Sequence, residues 1–331
     1  MELVEAVLAG ERLALARLLT QVENDTPLGR SAQDALFPQT GKAHLVGITG
    51  APGTGKSSLV NQVARLFRRP QDGAPPRKVA IVAVDPSSPF TGGALLGDRV
   101  RMRDLAGDPG IFIRSMAARG ALGGLARATA AVVQMFDATG FEIILIETVG
   151  AGQNDVDIAG LAHTTLVVDT PGMGDDIQAI KAGILEIADI LVINKADRPG
   201  LENTERALRA MLELGHPKIH PEGKQTAGDP GWTPPVLSTI ATTGSGVEEV
   251  FQAIIRHGDY LRQSGEWQKR DRIRLQVELE ALLQEDLVAH WRSRVPQETF
   301  QAMLNRVFER QISPVNAVSE LAQFDVNYVE D

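Results

Sequence analysis

The chain has 331 residues, 43% hydrophobic and 23% charged, which is enough to bury a substantial core and is typical of a globular protein. Its net charge of −9 argues against general nucleic-acid binding, and the absence of cysteine excludes disulfides and thiolate metal sites. No run reaches the roughly 18 apolar residues of a membrane span, and Glu2 and Glu5 are unlike the start of a secretory signal. We therefore expect a cytoplasmic protein with no nucleic-acid or membrane partner.

Residues 1–42 are predicted to form an N-terminal helical extension. Apolar residues recur at helical spacing from Glu2 to Val22, which predicts one amphipathic helix. Proline and glycine then interrupt the chain, and a short helix is expected over Ser31–Phe37.

Residues 43–264 alternate between short valine-, isoleucine- and leucine-rich runs and segments with helical periodicity. The predicted strands are His44–Thr49, Val79–Val84, Phe141–Glu147, Thr164–Asp169, Ile190–Asn194 and Val236–Thr239. The predicted helices are Lys56–Arg69, Ala121–Thr139, Asp176–Ile187, Leu201–Leu214 and Val247–Leu261, with a loop over His216–Pro235. This pattern predicts an α/β fold with a mostly parallel central sheet flanked by helices.

Residues 265–331 show no strand pattern. A long amphipathic helix is expected from Glu266 onward, and Pro296 and Pro314 are expected to begin two further helices. An apolar stripe on the long helix could pack on its own domain or on a second subunit. Its members are Leu275, Leu279, Leu282, Leu283, Leu287 and Trp291.

The segment Gly50–Ser57, GAPGTGKS, matches the phosphate-binding loop G-x-x-x-x-G-K-[ST] and lies between a predicted strand and a predicted helix. Its glycines let backbone N–H groups turn inward to form an anion site at a helix N-terminus. Lys56 can reach the β- and γ-phosphates, and the Ser57 hydroxyl can join a Mg²⁺ shell. The segment therefore predicts a P-loop NTPase that binds a nucleoside triphosphate and Mg²⁺. The expected contacts are Gly53, Thr54, Gly55, Lys56, Ser57 and Ser58.

The segment Asn194–Asp197, NKAD, predicts which base is bound. Asp197 can accept hydrogen bonds from guanine N1–H and from its exocyclic amine, a donor pair that adenine lacks. Lys195 can lay its alkyl stem over the base plane, and Asn194 can tie this segment to the phosphate loop. The predicted ligands are therefore GTP and GDP.

Acidic residues after buried strands predict the metal site. Glu147 ends one predicted strand, where an ionised carboxylate needs a partner such as Mg²⁺. Asp85 follows another strand, and both Asp85 and Asp98 could reach the metal or the attacking water. Gly150 can offer its N–H to the γ-phosphate. Ala151 stands where a glutamine would position water, so the sequence names no residue for that role.

Together these motifs resemble the MeaB/ArgK family of G proteins, members of the SIMIBI class of P-loop GTPases. The resembling stretches are GITGAPGTGKSSL, VDPSSPFTGGALLGDRVRM, ETVGAGQNDVDIAG and DTPGMGDDIQAIKAGILEIADILVINKAD. They cover Gly47–Asp197 almost continuously, and the helical extensions at both ends also look like this family.

The resemblance implies GTP hydrolysis and a chaperone role toward an adenosylcobalamin-dependent acyl-CoA mutase, either methylmalonyl-CoA mutase or a sister enzyme. Such a chaperone gates delivery of cobalamin and protects the mutase from inactivation. The resemblance also implies a homodimer held by the C-terminal helices over residues 265–331. A loop over Pro171–Ala182 would couple the nucleotide site to the partner, with Asp175, Gln178 and Lys181 as catalytic candidates.

One departure from the family pattern lies on the guanine side of the site. The loop Ile240–Gly246 reads IATTGSG, where the family often has Ser-Ala before Gly-x-Gly. Ala241 is still expected to give its backbone N–H to guanine O6, whereas the changed loop leaves the identity of the mutase open.

Three other functions stay open. A small-molecule kinase would need an acceptor pocket and would usually lack N-K-x-D. A nickel or cobalt metallochaperone GTPase would usually have His-rich or Cys-x-x-Cys segments, whereas among six scattered histidines only His216 and His220 are closely spaced. A non-catalytic nucleotide-dependent scaffold is disfavoured by the intact Lys56, Ser57 and Glu147.

Overall fold

The structure is a computed structural model of the whole chain. It describes residues 2–70, 73–86, 103–105, 107–118, 124–148, 158, 160–172, 186–215 and 231–323. By its internal contacts the chain forms two compact units, residues 1–274 and residues 275–331.

A seven-stranded sheet, parallel in every pairing, forms the centre of the first unit. The strands are β1 His44–Thr49, β2 Val79–Pro86, β3 Ile111–Ala118, β4 Ile143–Thr148, β5 Thr164–Asp169, β6 Ile190–Asn194 and β7 Val236–Thr239. Their spatial order is β3-β2-β4-β1-β5-β6-β7. Every residue of β1, β4, β5 and β6 is buried, because helices cover both faces of the sheet. The predicted α/β fold with a parallel central sheet is confirmed.

Ten α-helices lie within the residues that the structure describes. They are α1 Glu2–Leu8, α2 Arg12–Glu23, α3 Pro27–Leu36, α4 Lys56–Arg68, α5 Gly124–Ala138, α6 Leu201–Gly215, α7 Val247–Ser264, α8 Glu266–Arg294, α9 Gln297–Phe308 and α10 Pro314–Gln323. The helix predicted at Asp176–Ile187 falls almost entirely outside the described residues, as does most of the predicted loop His216–Pro235. In the parts of the chain that are described, no helix combines the length and apolar character needed to cross a bilayer.

The N-terminal helix prediction is wrong in one respect, because two helices replace the single helix expected over Glu2–Val22. The chain turns at Gly10, which has a left-handed φ of 86° and donates its N–H to the carbonyl of Val7 at 3.0 Å. Glycine adopts this conformation without steric cost and commonly ends helices. The next helix begins earlier than predicted, at Pro27, because the Thr26 side chain caps it by accepting the Gly29 N–H.

The strand β3 was not predicted. It lies at one edge of the sheet and pairs only with β2 among the described strands. Arg114 interrupts its apolar run and forms a nearly buried ion pair with Glu23 of α2. A contact between residues so distant in the sequence cannot be read from local periodicity.

The two faces of the sheet are covered by different sets of helices. On one face α1–α3 and α5 bury Leu18, Leu19 and Phe136 completely, and each such residue contributes about 2 kcal/mol of apolar transfer free energy. On the opposite face α4 and α7 meet through Phe67 and Phe251, whose rings pack edge to face at 4.8 Å. This second layer fixes α4, the helix that follows the phosphate loop.

A buried polar network lies at the amino-terminal edge of the sheet, opposite the edge at which the strands end. Thr164 Oγ1, at the start of β5, is 2.7 Å from His44 Nε2 and 2.8 Å from His257 Nδ1. Asp189, just before β6, has one carboxylate oxygen 3.3 Å from His257 Nε2. The Arg270 guanidinium of α8 donates to both carboxylate oxygens of Asp189 at 2.8 Å each. Burial lowers the pKa of His257 to about 4, against the opposing effect of Asp189, so this ring is neutral near pH 7.

A second branch of this network attaches the start of α8 to β1 and β5. His163 Nδ1 accepts the N–H of Leu45 at 3.0 Å, so its proton lies on Nε2, which donates to Asp271 at 2.9 Å. The Trp267 ring stacks on His163, with centroids 3.8 Å apart and an interplanar angle of 21°. Because burial outweighs the partner carboxylate, the pKa of His163 is lowered. The first turns of α8 are thus held to the sheet by an ion pair, a hydrogen bond and a stacked ring.

The second unit is a small helical body made of the rest of α8 with α9 and α10. Met303, Ala317 and Leu321 form its buried centre, and Trp291 Nε1 donates to the carbonyl of Leu321 at 3.0 Å. Five leucines of the predicted stripe are exposed in the single chain, by 40–67%. They are Leu275, Leu279, Leu282, Leu283 and Leu287.

Candidate nucleotide-binding site

The candidate site lies at the carboxyl edge of the sheet, around the central strand β1. The phosphate loop follows β1, while the neighbouring strands β4, β5 and β6 end at Thr148, Asp169 and Asn194. Since parallel strands all end at this edge, residues far apart in the sequence meet here. Ligands of open α/β sheets bind in such a position.

The phosphate loop depends on glycine at two positions. Gly50 and Gly55 have φ angles of 138° and 94°, which residues with a Cβ rarely adopt. A Cβ at Gly50 would lie 2.0 Å from the carbonyl oxygen of Val168, and one at Gly55 would lie 2.3 Å from Asn194 Nδ2. The loop is therefore packed tightly against the ends of β5 and β6. Thr54 closes it from within, since its hydroxyl donates to the carbonyl of Ala51 at 2.9 Å.

Lys56, Ser57 and Glu147 come together as a buried polar cluster. Lys56 Nζ donates to the carbonyls of Gly50 and Ala51 at 2.7 and 3.0 Å, so its charge is held within the loop. Ser57 Oγ donates to Glu147 Oε1 at 2.6 Å, and the three residues are only 5–8% exposed. The cluster places one cation, one hydroxyl and one carboxylate beside the turn that faces the ligand.

The donor set of this cluster fits Mg²⁺. A hydroxyl and a carboxylate oxygen within hydrogen-bond distance of each other are hard oxygen ligands, which Mg²⁺ prefers, and it normally keeps several waters beside them. The cradle fits phosphate for a separate reason, because positive-φ glycines and a helix N-terminus turn N–H groups toward one point.

Asn194 joins the phosphate loop to the guanine-side loop. Its Nδ2 donates to the carbonyl of Thr54 at 2.7 Å, while its Oδ1 accepts from Thr239 Oγ1 at 3.1 Å and from Ala241 N at 3.0 Å. Lys195 has a left-handed φ of 58°, and its Nζ donates to the carbonyl of Gly53 at 2.5 Å. The lysine stem therefore lies along the phosphate loop.

The geometry changes the expectation for Ala241. Its backbone N–H, expected to donate to guanine O6, is donated to Asn194 Oδ1, and the residue is only 3% exposed. Guanine O6 would have to share this N–H with the asparagine oxygen. Asp197, in contrast, is exposed at the end of the same turn, where its carboxylate is accessible to a base.

The structure does not describe all of the predicted site. Asp85 lies at the carboxyl end of β2, where the preceding residue Val84 pairs with Thr148, but only its backbone is described. The remaining predicted residues lie outside the described residues; they are Asp98, Gly150, Asp175, Gln178 and Lys181.

Comparison with known proteins decides the family. The family model described as "Methylmalonyl Co-A mutase-associated GTPase MeaB" matches residues 15–295. The chain belongs to the MeaB family. It is therefore a P-loop GTPase that binds guanine nucleotides, as the phosphate loop and N-K-x-D predict.

Relatives of this MeaB family member match over four fifths of its length or more. A relative from Pyrococcus abyssi is 43% identical over 316 residues, 96% of this chain and 94% of its own. The GTPase ArgK of Escherichia coli is 33% identical over 331 residues, with 98% and 96% of the two chains covered. The mitochondrial methylmalonic aciduria type A homolog of Caenorhabditis elegans is 29% identical, with 81% and 68% covered.

A solved structure shows the same fold. The crystal structure described as a LAO/AO transport system kinase aligns with a TM-score of 0.69 at 28% identity. The alignment covers 98% of this MeaB chain and 96% of the other. The helical additions at both ends of the GTPase sheet are therefore within the shared architecture.

Two residues that contact the site belong to none of the sequence motifs. Thr239 is the last residue of β7 and bonds to Asn194, whereas Gln62 reaches from α4 and donates its Nε2 to the carbonyl of Ala241 at 3.1 Å. The end position of a predicted strand could have drawn attention to Thr239. Nothing in the sequence indicates that Gln62 meets a loop 179 residues away.

Proposed function

We propose that this GTPase is a chaperone of an adenosylcobalamin-dependent acyl-CoA mutase, methylmalonyl-CoA mutase or a sister enzyme, and that it gates cobalamin loading and protects the mutase. The observation that supports this proposal most directly is the description of the matching family, which names methylmalonyl-CoA mutase. The name of the Caenorhabditis elegans relative, which refers to methylmalonic aciduria, points the same way.

Within the site, Gly53, Thr54, Gly55, Lys56, Ser57 and Ser58 would hold the phosphates. Ser57 and Glu147, with Asp85 and Asp98, would hold Mg²⁺, which when bound neutralises charge on the phosphate oxygens. The Lys56 ammonium, now on the loop carbonyls, would exchange them for phosphate oxygens, a stronger, charge-assisted contact. The buried Ser57–Glu147 pair supports this assignment, since it places hard oxygen atoms beside the phosphate cradle.

On the base side, Asn194, Lys195, Asp197 and Ala241 would recognise guanine. Asp197 would accept from N1–H and the exocyclic amine, and Lys195 would cover one face of the ring. The fixed position of this segment supports the assignment, because hydrogen bonds from Asn194 and Lys195 already join it to the phosphate loop. Binding then costs little ordering of the protein.

Hydrolysis in this proposal is slow in the free protein and is completed by the mutase. Ala151 follows Gly150 where a water-positioning glutamine would be expected. A partner that orders the loop Pro171–Ala182 would bring Asp175, Gln178 or Lys181 toward the nucleotide. Completion in trans accelerates other GTPases by about 10³–10⁵, and a regulatory chaperone needs less.

The proposal includes a cytoplasmic homodimer held by residues 265–331. The exposed leucines of α8 support it, since an apolar stripe of this kind is typical of helix pairing between subunits. A second copy of the same stripe would cover it through a two-fold interface.

The test is steady-state GTP hydrolysis, with Mg²⁺, measured with and without a purified cobalamin-dependent mutase. The expected result is a low basal rate that rises with the mutase, together with equal changes in the affinity of GTP for the protein and of the mutase for the protein. Gln178→Ala and Lys181→Ala should lose the stimulation and keep basal turnover, while Lys56→Ala should show no turnover in either condition. If no cobalamin-dependent mutase from the same organism changes the rate or the nucleotide affinity, the chaperone proposal is wrong.

One observation favours a second function, phosphoryl transfer to a small molecule, because the aligned crystal structure is described as a transport system kinase. A kinase would consume GTP only when an acceptor is supplied. Sustained GTP turnover with no acceptor would exclude this alternative.

A further inference from the structure

We propose that Gln62 is a positioning residue for guanine recognition, holding the Ala241 peptide at the edge of the base. Gln62 lies in the second turn of α4 and belongs to none of the nucleotide-binding motifs. Its Nε2 donates to the carbonyl oxygen of Ala241 at 3.1 Å in a partly buried contact. The proposal rests on the guanine site described above.

The contact completes a circuit of hydrogen bonds around the site. Ala241 N donates to Asn194 Oδ1, and Asn194 Nδ2 donates to the carbonyl of Thr54, two residues before α4 begins at Lys56. Gln62, on the same helix, returns to Ala241. The phosphate loop, the end of β6 and the loop after β7 are thus joined in one closed path.

The circuit constrains Ala241 from both sides. Asn194 holds its N–H and Gln62 holds its C=O, so the two peptide planes that meet at this residue each have a fixed hydrogen-bond direction. Without Gln62 the Ala241 carbonyl would lose this donor, while the Ala241 N–H would keep its bond to Asn194 Oδ1, which itself competes with guanine O6 for that N–H. Gln62 therefore acts through Ala241 on the part of the site that reads the 6-position of the purine.

Two analogues of GDP with altered bases distinguish a change at Ala241 from a general weakening of nucleotide binding. In 6-thioguanosine diphosphate a sulfur replaces O6 and is a weaker acceptor, while N1–H and the exocyclic amine remain. In inosine diphosphate O6 and N1–H remain, while the exocyclic amine proposed to meet Asp197 is absent. The ratio of the GDP and 6-thio-GDP affinities reports on Ala241, and the ratio of the GDP and IDP affinities reports on Asp197.

The experiment is calorimetric titration of the full chain, with Mg²⁺, using GDP, 6-thio-GDP, IDP and ADP. Gln62→Leu should weaken GDP binding by roughly 3- to 10-fold, the net worth of one neutral hydrogen bond, and should reduce the preference for GDP over 6-thio-GDP. The preference for GDP over IDP should not change. The matched control is Gln252→Leu on α7, which removes a similar partly buried glutamine contact, to Glu248 at 3.0 Å, and should change none of these values.

A charge variant gives an independent test. In Gln62→Glu an ionised carboxylate would face the Ala241 carbonyl at about pH 7.5, and GDP binding should weaken at least as much as in Gln62→Leu. At about pH 5 the fraction of protonated side chain rises, and a protonated carboxyl can donate, so binding should recover relative to wild type at the same pH.

The proposal is overturned if Gln62→Leu keeps both the GDP affinity and the 6-thio-GDP ratio. It is also overturned if all four nucleotides weaken equally and the melting temperature falls, since that result describes a purely structural role. A wild-type protein that bound ADP as tightly as GDP would overturn the guanine site and, with it, the role of Gln62.

Discussion

Replacing Arg270 by methionine tests the buried network that holds α8 to the sheet. The guanidinium makes two bonds of 2.8 Å to Asp189 and one of 2.6 Å to the carbonyl of His163. The Asp189 side chain is 9% exposed, so removing its partner leaves a carboxylate with little access to water. Methionine keeps most of the side-chain length and removes only the charged head.

The expected loss is about 2–3 kcal/mol in the free energy of unfolding of the first unit. Breaking a buried ion pair by removing one partner costs about 3–5 kcal/mol. Two features reduce this value. The Arg270 side chain is 34% exposed, so water screens part of the interaction, and the N–H of Thr165 still donates to Asp189 at 2.8 Å.

Urea unfolding, followed by tryptophan fluorescence, measures the loss, because the Trp267 ring stacks on His163 beside the pair. The matched control is Arg209→Met on α6, which breaks an exposed pair with Glu205 and should cost at most about 0.5 kcal/mol. Adding Asp189→Asn to Arg270→Met should restore part of the loss, because the unpaired charge is gone. If Arg270→Met costs no more than Arg209→Met, the argument that this pair holds α8 is wrong.

Four further predictions follow from other parts of the molecule. His257 takes up a proton near pH 6.5 in the unfolded chain and near pH 4 in the folded protein. Its contribution to the free energy of unfolding is therefore intact above pH 6.5 and falls by about 3 kcal/mol between pH 6.5 and pH 4. Urea unfolding midpoints measured against pH would show this fall. Lys56→Ala should raise the barrier to GTP hydrolysis by about 3 kcal/mol or more with an unchanged melting temperature, so unchanged turnover would contradict its role. Asp197→Asn should weaken GTP binding and favour xanthosine nucleotide in calorimetric titration, and equal wild-type affinity for ATP and GTP would contradict this reading. The triple variant Leu279→Glu, Leu283→Glu and Leu287→Glu should be a monomer where the wild type is a dimer, as measured by light scattering. A monomeric wild type would exclude the dimer.

Most of the sheet could be predicted because its central strands are buried on both faces. Valine, isoleucine and leucine make up most of their residues, and this composition is visible in the sequence without knowing which strands pair. The strand β3 was not predicted because it lies at the edge of the sheet, where Arg114 interrupts the apolar pattern and forms an ion pair with Glu23. The break at Gly10 was missed because helical spacing of apolar residues continues across it.

The motif residues of the site could be placed from the sequence because each follows a strand, and parallel strands end at one edge. The bond from Asn194 to the phosphate loop was expected from the N-K-x-D motif and is present, whereas contacts made by side chains outside the motifs could not be predicted. His44, His163 and His257 look like scattered histidines in the sequence, yet the starts of β1 and β5 and the packing of α7 bring them into one buried network. The acceptor of the Ala241 N–H and the donor to its C=O were equally hidden, since both depend on side chains from other elements.

The base side and the phosphate side of the site are organised differently, and this difference bears on how a partner could act. On the proposed base side, the side chains of Asn194, Lys195 and Gln62 already hydrogen-bond to other parts of the protein, so we expect guanine recognition to need no ordering by a partner. The residue that orients water is absent from the expected position, so the chemical step is where a partner has most to add. A partner shifts a conformational equilibrium only by as much as its affinity differs between the two conformations. A mutase that completes the phosphate side should therefore change GTP turnover and GTP affinity more than it changes the preference for guanine over other bases. If the proposed mutase partner binds, the guanine preference should therefore be the same in the free GTPase and in that complex.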